Sequence, residues 1–340
     1  MPLAASRLAE SRVVVSSCGG TSGFRSGPCP PARSGAASDT SLAGCTARHN
    51  RVHPRASVWL TSRGALGRAR VRALEPGCVL PSPRTRLGPR LRRAVRLPLL
   101  LGTTLGHWGA WRAGRPLARG LGGEVAWRRV MFRRWGRSAL SVLGVRVQLE
   151  GQPPAGPGLL VSNHLSYLDI AVLAAQLGCT FVSMDEVEDW PLMGRIARDL
   201  DTLFVDRERP RDAPRVAEAM AARLAAGETV VLFPEGKAGD GVALHPFRAP
   251  LLDPAAREEL PVSWVALAYR TEAPDPPASR AVCWADEVPF GAHAWGLLAL
   301  RRVEARVAFG PAPVCETDRK RLARELEAAI AARLGHGGAA

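Results

Sequence analysis

Val-Ser-Asn-His-Leu-Ser-Tyr-Leu-Asp, residues 161–169, joins an apolar run to a helical pattern. The apolar residues 158–162 have the length of a buried strand. Residues 168–177 repeat apolar side chains with the helical period, and Gly178 follows at the place where a helix commonly stops. The stretch therefore predicts a strand, a polar turn and a helix in that order, which is the building unit of an α/β domain.

The same alternation of strand and helix continues on the carboxyl-terminal side. Further helices are predicted over residues 213–226, with Asp212 as a possible N-cap and Gly227 just past the end, and over residues 317–334. Apolar runs of strand length lie over residues 180–183, 202–205, 229–233, 262–269, 281–284 and 303–309. Strands alternating with helices predict an α/β domain, which we place at residues 146–340.

The basic charge of the chain is concentrated in its amino-terminal part. Residues 1–150 hold 26 Arg, no Lys and five acidic residues, whereas residues 151–340 hold 20 basic and 26 acidic residues. Residues 1–90 are rich in Arg, Ser, Pro and Gly without helical or strand periodicity, so we predict a disordered basic extension. Deletion of residues 1–85 is expected to leave activity in place. No zinc-finger, RNA-recognition or basic-zipper pattern accompanies the arginines, and we expect no nucleic-acid partner.

Residues 91–145 predict a membrane-associated helical segment. Residues 97–111 carry no charged side chain but are too short to span a bilayer. Arginines flank this run, and Trp108 and Trp111 are side chains that favour a lipid interface, so we expect an interfacial or re-entrant anchor. A second basic and apolar stretch follows at residues 127–145. The alternative is an ordinary amphipathic helix packed on the domain.

The cysteines suggest a reducing compartment. There are seven, without a C-x-x-C pair, and no secretory signal is apparent in the first 30 residues. We interpret Cys179 and Cys283 as small buried hydrophobic residues. The chain is expected to face the cytoplasm, on the inner membrane.

His164 and Asp169 are the candidate catalytic pair. If His164 lies in the turn before the helix, Asp169 in the first helical turns reaches back to one ring nitrogen. The other nitrogen then faces an incoming hydroxyl, whose proton must leave as the oxygen attacks. Taken alone, the spacing equally fits a surface histidine with a capping aspartate.

Three later blocks add candidate binding residues. Residues 231–236 read Val-Leu-Phe-Pro-Glu-Gly, a strand exit in which Glu235 is placed to bind a polyol and Gly236 allows close approach of a ligand. Arg207 ends the block Leu-Phe-Val-Asp-Arg and suits a phosphate, or else pairs with Asp206. Residues 260–262, Leu-Pro-Val, fit one wall of an acyl groove or a core strand.

In their order and spacing, the four blocks resemble the glycerolipid acyltransferase family, which includes bacterial 1-acylglycerol-3-phosphate acyltransferases. The resemblance covers about residues 125–310. It implies a glycerolphosphate-acyltransferase-like fold, with a central, mostly parallel sheet flanked by helices and a membrane-facing helical part before it. It further implies that His164 is the general base, Asp169 its partner, and Arg207, Glu235 and Gly236 the acceptor site.

The block after Gly236 departs from that family. The usual Thr and Arg or Ser are replaced by Lys237 and Ala238, and Lys237 would stand in as a point charge. Residues 239–241 and 245–248 look more like the lyso-ornithine lipid acyltransferase branch. The expected acceptor is 1-acylglycerol-3-phosphate, which would give phosphatidate, with lyso-ornithine lipid as the alternative.

The expected reaction joins this acceptor to an acyl group from acyl-CoA or acyl carrier protein, without a metal or other cofactor. The partners are therefore the lysolipid, the thioester donor and a membrane surface. A non-catalytic lipid or acyl-carrier binder and a thioester hydrolase are the competing interpretations. The hydrolase differs from a transferase because its thioester loss needs no acceptor.

Overall fold

In the computed structural model, the described residues are 88–206, 209, 212–285 and 288–335. Nearly all of the predicted basic extension, and also Arg207, lie outside these residues. The helices are α1 Pro89–Gly120, α2 Glu124–Leu143, α3 Leu168–Leu177, α4 Met193–Asp199, α5 Asp212–Ala225, α6 Asp253–Arg257, α7 Ala278–Ala281, α8 Phe290–Leu297 and α9 Arg319–Gly335. Short 3₁₀ turns span Asp185–Asp189 and Pro250–Leu252.

The strands of the described part of the chain form one sheet in the order β1-β7-β6-β2-β5-β3-β4. Strands β6, β2, β5, β3 and β4 run parallel, and β7 joins β6 antiparallel while pairing in parallel with β1. The strands are β1 Val145–Glu150, β2 Leu159–Ser162, β3 Thr180–Met184, β4 Leu203–Val205, β5 Val230–Leu232, β6 Ser263–Arg270 and β7 Val303–Phe309. The predicted α/β class with a mostly parallel central sheet flanked by helices is confirmed.

Hydrophobic layers cover both faces of the sheet. Leu160 lies in the layer with α2, α3 and α8, whereas its neighbours Leu159 and Val161 lie in the layer with α5, α6 and α9. Side chains alternate between faces along a strand, so a central strand buried on both sides reads as a continuous apolar run. The central strands were predictable for this reason.

One predicted strand is wrong. Residues 281–284 form the end of α7 and a turn, and Val282 and Cys283 are buried. The backbone N–H of Trp284 donates to the carbonyl of Leu165. This apolar run is buried beneath the turn at the carboxyl edge of β2, and burial alone does not distinguish a strand from a buried turn.

The two tryptophans of the predicted membrane anchor, Trp108 and Trp111, have different surroundings in helix α1. Trp111 is 1% exposed, so its ring lies in the protein interior rather than at an interface. Trp108 donates its indole N–H to Asp199, which also pairs with Arg112. In contrast, leucines of the same helix are exposed, among them Leu97, Leu99, Leu101 and Leu105.

Arginines near the start of α1 bind the carboxyl end of α8. Arg92 donates to the carbonyl of Ala299 at 2.7 Å, and Arg93 to that of Trp295 at 2.9 Å. Cations are favoured at a helix carboxyl end, where carbonyl groups lack helical partners. None of the described helices is both long and apolar enough to cross a bilayer.

Candidate active site

His164 lies in the turn between β2 and α3, at the carboxyl edge of the parallel strands. Its Nδ1 is 2.7 Å from Oδ2 of Asp169, the second residue of α3. The same oxygen accepts the backbone N–H groups of Leu165 at 2.7 Å and Ser166 at 3.0 Å. The turn therefore closes on the aspartate, and the predicted contact is present.

The imidazole is held from a second side by Phe233. The two rings stack with centroids 4.3 Å apart and an interplanar angle of 21°. The His164 side chain is 19% exposed, whereas Asp169 is fully buried. Since Nδ1 faces the carboxylate, Nε2 is the nitrogen left for a substrate, and no described residue is hydrogen-bonded to it.

Asn163 ties this turn to β6. Its side-chain amide donates to the carbonyl of Leu267 at 2.9 Å and accepts the N–H of the same residue at 2.7 Å. The pair continues the β2–β6 ladder beyond the end of β2. The backbone before His164 is thereby fixed to a central strand.

Glu235 is a buried brace between two loops. One carboxylate oxygen accepts the N–H of His164 at 2.6 Å, and the other accepts that of His245 at 2.9 Å. Burial raises the pKa of the Glu235 carboxyl, and the two backbone donors oppose that rise. Both oxygens thus have partners inside the protein, and a role in acceptor binding stays a prediction.

Gly236 and Lys237 follow at the surface. Gly236 has a φ of +79°, the left-handed region that favours glycine. A Cβ atom there would lie 3.2 Å from Nε of Arg248, so this guanidinium lies directly over the glycine. Lys237 is exposed.

Arg207 itself falls outside the described residues, but its neighbour Asp206 lines a cavity of about 400 Å³ near β3 and β4. Asp212 and Arg215 also line this cavity and form an ion pair at 2.6 Å, so the cavity presents both negative and positive charge.

Of the predicted site residues, the structure brings together His164, Asp169, Glu235 and Gly236 at one edge of the sheet, with Lys237 next to them in the chain.

The buried thiols are not suited to nucleophilic attack. Burial raises the pKa of Cys283 to about 12 and that of Cys179 to about 12. Both stay protonated near neutral pH, and the thiolate is the reactive form of cysteine. The interpretation of both as buried hydrophobic residues agrees with their burial.

Several residues of the site escaped sequence reasoning. Asn163 and Phe233 lie inside the quoted motifs, but no role for them followed from the motifs alone. Arg248 and Tyr269 come from distant parts of the chain, and Tyr269 donates its hydroxyl to Asp169 at 2.6 Å. A signal for Tyr269 was its position on a predicted strand, two residues after Leu267.

Comparisons with known proteins find relatives of this chain among acyltransferases. The acyltransferase family model matches residues 144–268. A lyso-ornithine lipid O-acyltransferase of Rhodobacter capsulatus is 33% identical over 250 residues, covering 71% of this chain and 88% of that protein. A 1-acyl-sn-glycerol-3-phosphate acyltransferase of Neisseria meningitidis is 30% identical over 232 residues, covering 67% and 84%.

The fold has a solved counterpart. The 1-acyl-sn-glycerophosphate acyltransferase of Thermotoga maritima superimposes with a TM-score of 0.59 over 74% of this chain and 97% of its own, at 16% identity. At that identity the likeness speaks for the fold alone, and the sequence relatives carry the assignment. The chain belongs to the acyltransferase family and is an acyltransferase.

Proposed function

We propose that this enzyme transfers an acyl group from acyl-CoA or acyl carrier protein to the free hydroxyl of a lysolipid, with His164 as general base. The observation that carries this proposal is the 2.7 Å contact between His164 Nδ1 and the buried Asp169, beneath a partly exposed ring. Asp169 orients the imidazole so that Nε2 faces the acceptor, and stabilises the imidazolium once it forms.

The reaction then needs no acyl-enzyme. As the hydroxyl oxygen attacks the thioester carbonyl, Nε2 takes its proton, the new C–O bond forms and the C–S bond breaks. The departing thiolate recovers the proton from the imidazolium, so His164 ends neutral. A base placed in this way contributes roughly 10²–10⁴-fold to the rate.

The preferred acceptor is lyso-ornithine lipid. The sequence alone favoured 1-acylglycerol-3-phosphate, but relatives named lyso-ornithine lipid O-acyltransferase reach 33% and 36% identity, against 30% for the Neisseria enzyme named for the glycerophosphate. The replacement of the usual motif residues by Lys237 and Ala238 points in the same direction. 1-Acylglycerol-3-phosphate is the second candidate.

Arg248 is a candidate contact for the acceptor's anionic group. Its guanidinium lies over Gly236, is exposed, and makes no ion pair with a described residue. A guanidinium binds two oxygens of a phosphate or a carboxylate at once. The motif after Glu235 lacks the usual arginine, and Arg248 would supply a guanidinium in its place for either acceptor. It would act together with the predicted contacts of Arg207 and Lys237.

We also propose peripheral attachment to the cytoplasmic face of the inner membrane through α1. Exposed leucines of this helix, including Leu97, Leu101 and Leu105, offer apolar area to lipid, and basic side chains favour anionic head groups. Leu97→Asp with Leu101→Asp should abolish co-flotation with anionic vesicles while leaving the unfolding temperature unchanged. Unchanged flotation would refute this attachment surface.

The function is tested by acyl transfer from radiolabelled acyl-CoA and acyl carrier protein to a panel of lysolipids. We expect a diacyl product with lyso-ornithine lipid, thioester loss only when an acceptor is present, and activity that survives a metal chelator. Thioester loss without acceptor would identify a hydrolase, and lipid binding without turnover would identify a non-catalytic binder.

The same panel tests Arg248. Arg248→Ala should raise the acceptor KM about tenfold or more with little change in kcat, because a charge-assisted hydrogen bond contributes roughly 1.5–3 kcal/mol. Arg321→Ala, at an exposed arginine on α9, is the matched control. An unchanged acceptor KM would exclude Arg248 from the acceptor site.

A further inference from the structure

The carboxylate of Asp169 has two differently partnered oxygens. Oδ2 serves His164 and the backbone of the turn, as described above. Oδ1 accepts the hydroxyl of Tyr269 at 2.6 Å, and no other described residue donates to it. The carboxylate is fully buried, so each oxygen depends on the protein for its hydrogen bonds.

The position of Tyr269 follows from the sheet. Residues 265, 267 and 269 of β6 share the face covered by α3, because side chains alternate along a strand. Val265 and Leu267 are buried in the layer that contains Leu168, the residue before Asp169. Asn163 holds β6 in this register through its two hydrogen bonds with Leu267, two residues before the tyrosine.

The hydroxyl of Tyr269 is the donor in this contact. Burial, followed by the negative charge of Asp169, raises the pKa of Tyr269 well above its ordinary value, so the phenol stays protonated. A donor on Oδ1 fixes the plane of the carboxylate, which the bonds to Oδ2 alone would leave free to rotate. It also withdraws part of the negative charge from the oxygen that faces the imidazole.

We propose that Tyr269 is a positioning residue for the reaction, one that holds Asp169 in plane with His164 and tunes the basicity of the imidazole through the carboxylate. This inference rests on the proposed role of His164 as general base. Tyr269 does not reach the substrate; it acts through Asp169. The proposed base therefore belongs to a hydrogen-bonded series of three side chains: His164 of the turn, Asp169 of α3 and Tyr269 of β6.

The sign of the effect on basicity follows from the hydrogen bond. Without the hydroxyl, the carboxylate keeps more of its negative charge on Oδ2 and attracts the imidazolium more strongly. The acid limb of the pH profile of kcat/KM should therefore move upward. The other titratable groups around this pair are unchanged by the substitution: Glu235, Asp240, His245 and Cys283.

The test is Tyr269→Phe, with Tyr167→Phe as the matched control. The chain holds only these two tyrosines, and the hydroxyl of Tyr167 lies 3.1 Å from Nδ1 of His293 rather than near Asp169. For Tyr269→Phe we expect kcat to fall about tenfold, with both KM values within about twofold and the acid limb higher by about half a pH unit. Tyr167→Phe should leave kcat and the limb unchanged.

Two further measurements distinguish a positioning role of Tyr269 from a general loss of stability, and do so independently of the proposed function. The His164 ring, titrated by NMR without substrate, should show the same upward shift in Tyr269→Phe even if the true acceptor is unknown. Added to Asp169→Asn, Tyr269→Phe should cause no further loss of kcat, because it acts through the carboxylate. A wild-type titration curve, or fully additive losses, would overturn the proposal.

Discussion

Glu235 illustrates how much a single side chain carries in this site. Its two oxygens accept the backbone N–H groups of His164 and His245, so it connects the turn that carries His164 to the loop after β5. In a Glu235→Gln variant, the amide oxygen would still accept one backbone N–H. The amide NH₂ group would face the second N–H, so two donors would meet and no hydrogen bond would form there. The structure therefore favours bracing over direct acceptor binding as the main task of this carboxylate.

We expect Glu235→Gln to lower kcat and to destabilise the fold by about 1–3 kcal/mol, the cost of leaving a buried donor unsatisfied. The acceptor KM should change little. Kinetics and chemical denaturation measure both effects, with Glu325→Gln at an exposed position of α9 as control. A raised KM at unchanged stability would instead support the predicted role in acceptor binding.

At the residue level, contacts local in the chain were the ones that the sequence predicted. His164 and Asp169 are five residues apart, and a turn followed by a helix is enough to bring them together. Phe233, just past the end of β5, and Tyr269 of β6 contact the same site from about 70 and 105 residues away in the chain. Their contacts depend on the strand order and on which face each side chain takes, and one sequence does not determine those.

Among the elements, α2 and α3 pack more closely than most side chains permit. A Cβ atom on Gly136 of α2 would lie 2.7 Å from the carbonyl oxygen of Ala171 and 2.7 Å from the amide nitrogen of Ala175, both on α3. The obstacle is backbone, which does not swing aside as a flexible side chain would. Gly136 thus sets the distance between α2 and the helix that carries Asp169.

Gly136→Ala should accordingly destabilise the protein by about 1–3 kcal/mol, since the helices must separate. Gly109→Ala on α1 is the matched control, because nothing lies within 4 Å of the added atom. That change should be neutral or stabilising by up to about 1 kcal/mol from helix propensity. Equal effects of the two substitutions in thermal unfolding would contradict the proposed close packing.

Elements with one clear pattern were predicted from the sequence within one or two residues. The central strands are continuous apolar runs, and α3 and α5 have clear start and stop residues. Strand β1, Val145–Glu150, was not predicted from the sequence, because Val145 is the one residue of this edge strand that is buried. Short helices such as α4 and α8 were missed, since a turn or two of helix gives too little periodicity.

At the scale of the whole molecule, a buried ion cluster joins α2 to the sheet. Arg128 of α2 is 4% exposed and pairs with Glu228, just before β5, and with Asp201, just before β4. Arg223 contacts the same two acids at 3.2 and 3.3 Å. Removal of Arg128 would leave the buried Glu228 with the longer contact to Arg223 as its ion pair.

Arg128→Met should therefore lower the free energy of unfolding by about 1–3 kcal/mol, less than for a buried charge left with no partner, because Arg223 still pairs with Glu228. Denaturant titration measures the loss, and Arg134→Met at an exposed position of the same helix should change little. A loss below about 1 kcal/mol would show that the cluster does not hold α2 in place.

The same cluster predicts a dependence of stability on pH. Burial raises the pKa of Glu228, but the charge of Arg128 and the hydrogen bond from Thr180 outweigh it, so the pKa is lower than its ordinary value of 4.5. Its contribution is complete above that ordinary value and is lost as the pH falls through the lower, folded-state pKa. The difference in free energy of unfolding between the wild type and Glu228→Gln should therefore become smaller below about pH 4.5. A difference that grows below this pH would contradict a lowered pKa of Glu228.

The base at position 164 is the central claim, and acyl transfer by purified His164→Ala tests it most directly. The measurement compares initial rates with the wild type at saturating thioester and lysolipid, together with the unfolding temperature and vesicle binding of both proteins. We expect the rate to fall by at least about 100-fold while folding and vesicle binding stay the same. A folded variant that retains more than about a tenth of wild-type activity would contradict the account, since a base contributes roughly 10²–10⁴-fold.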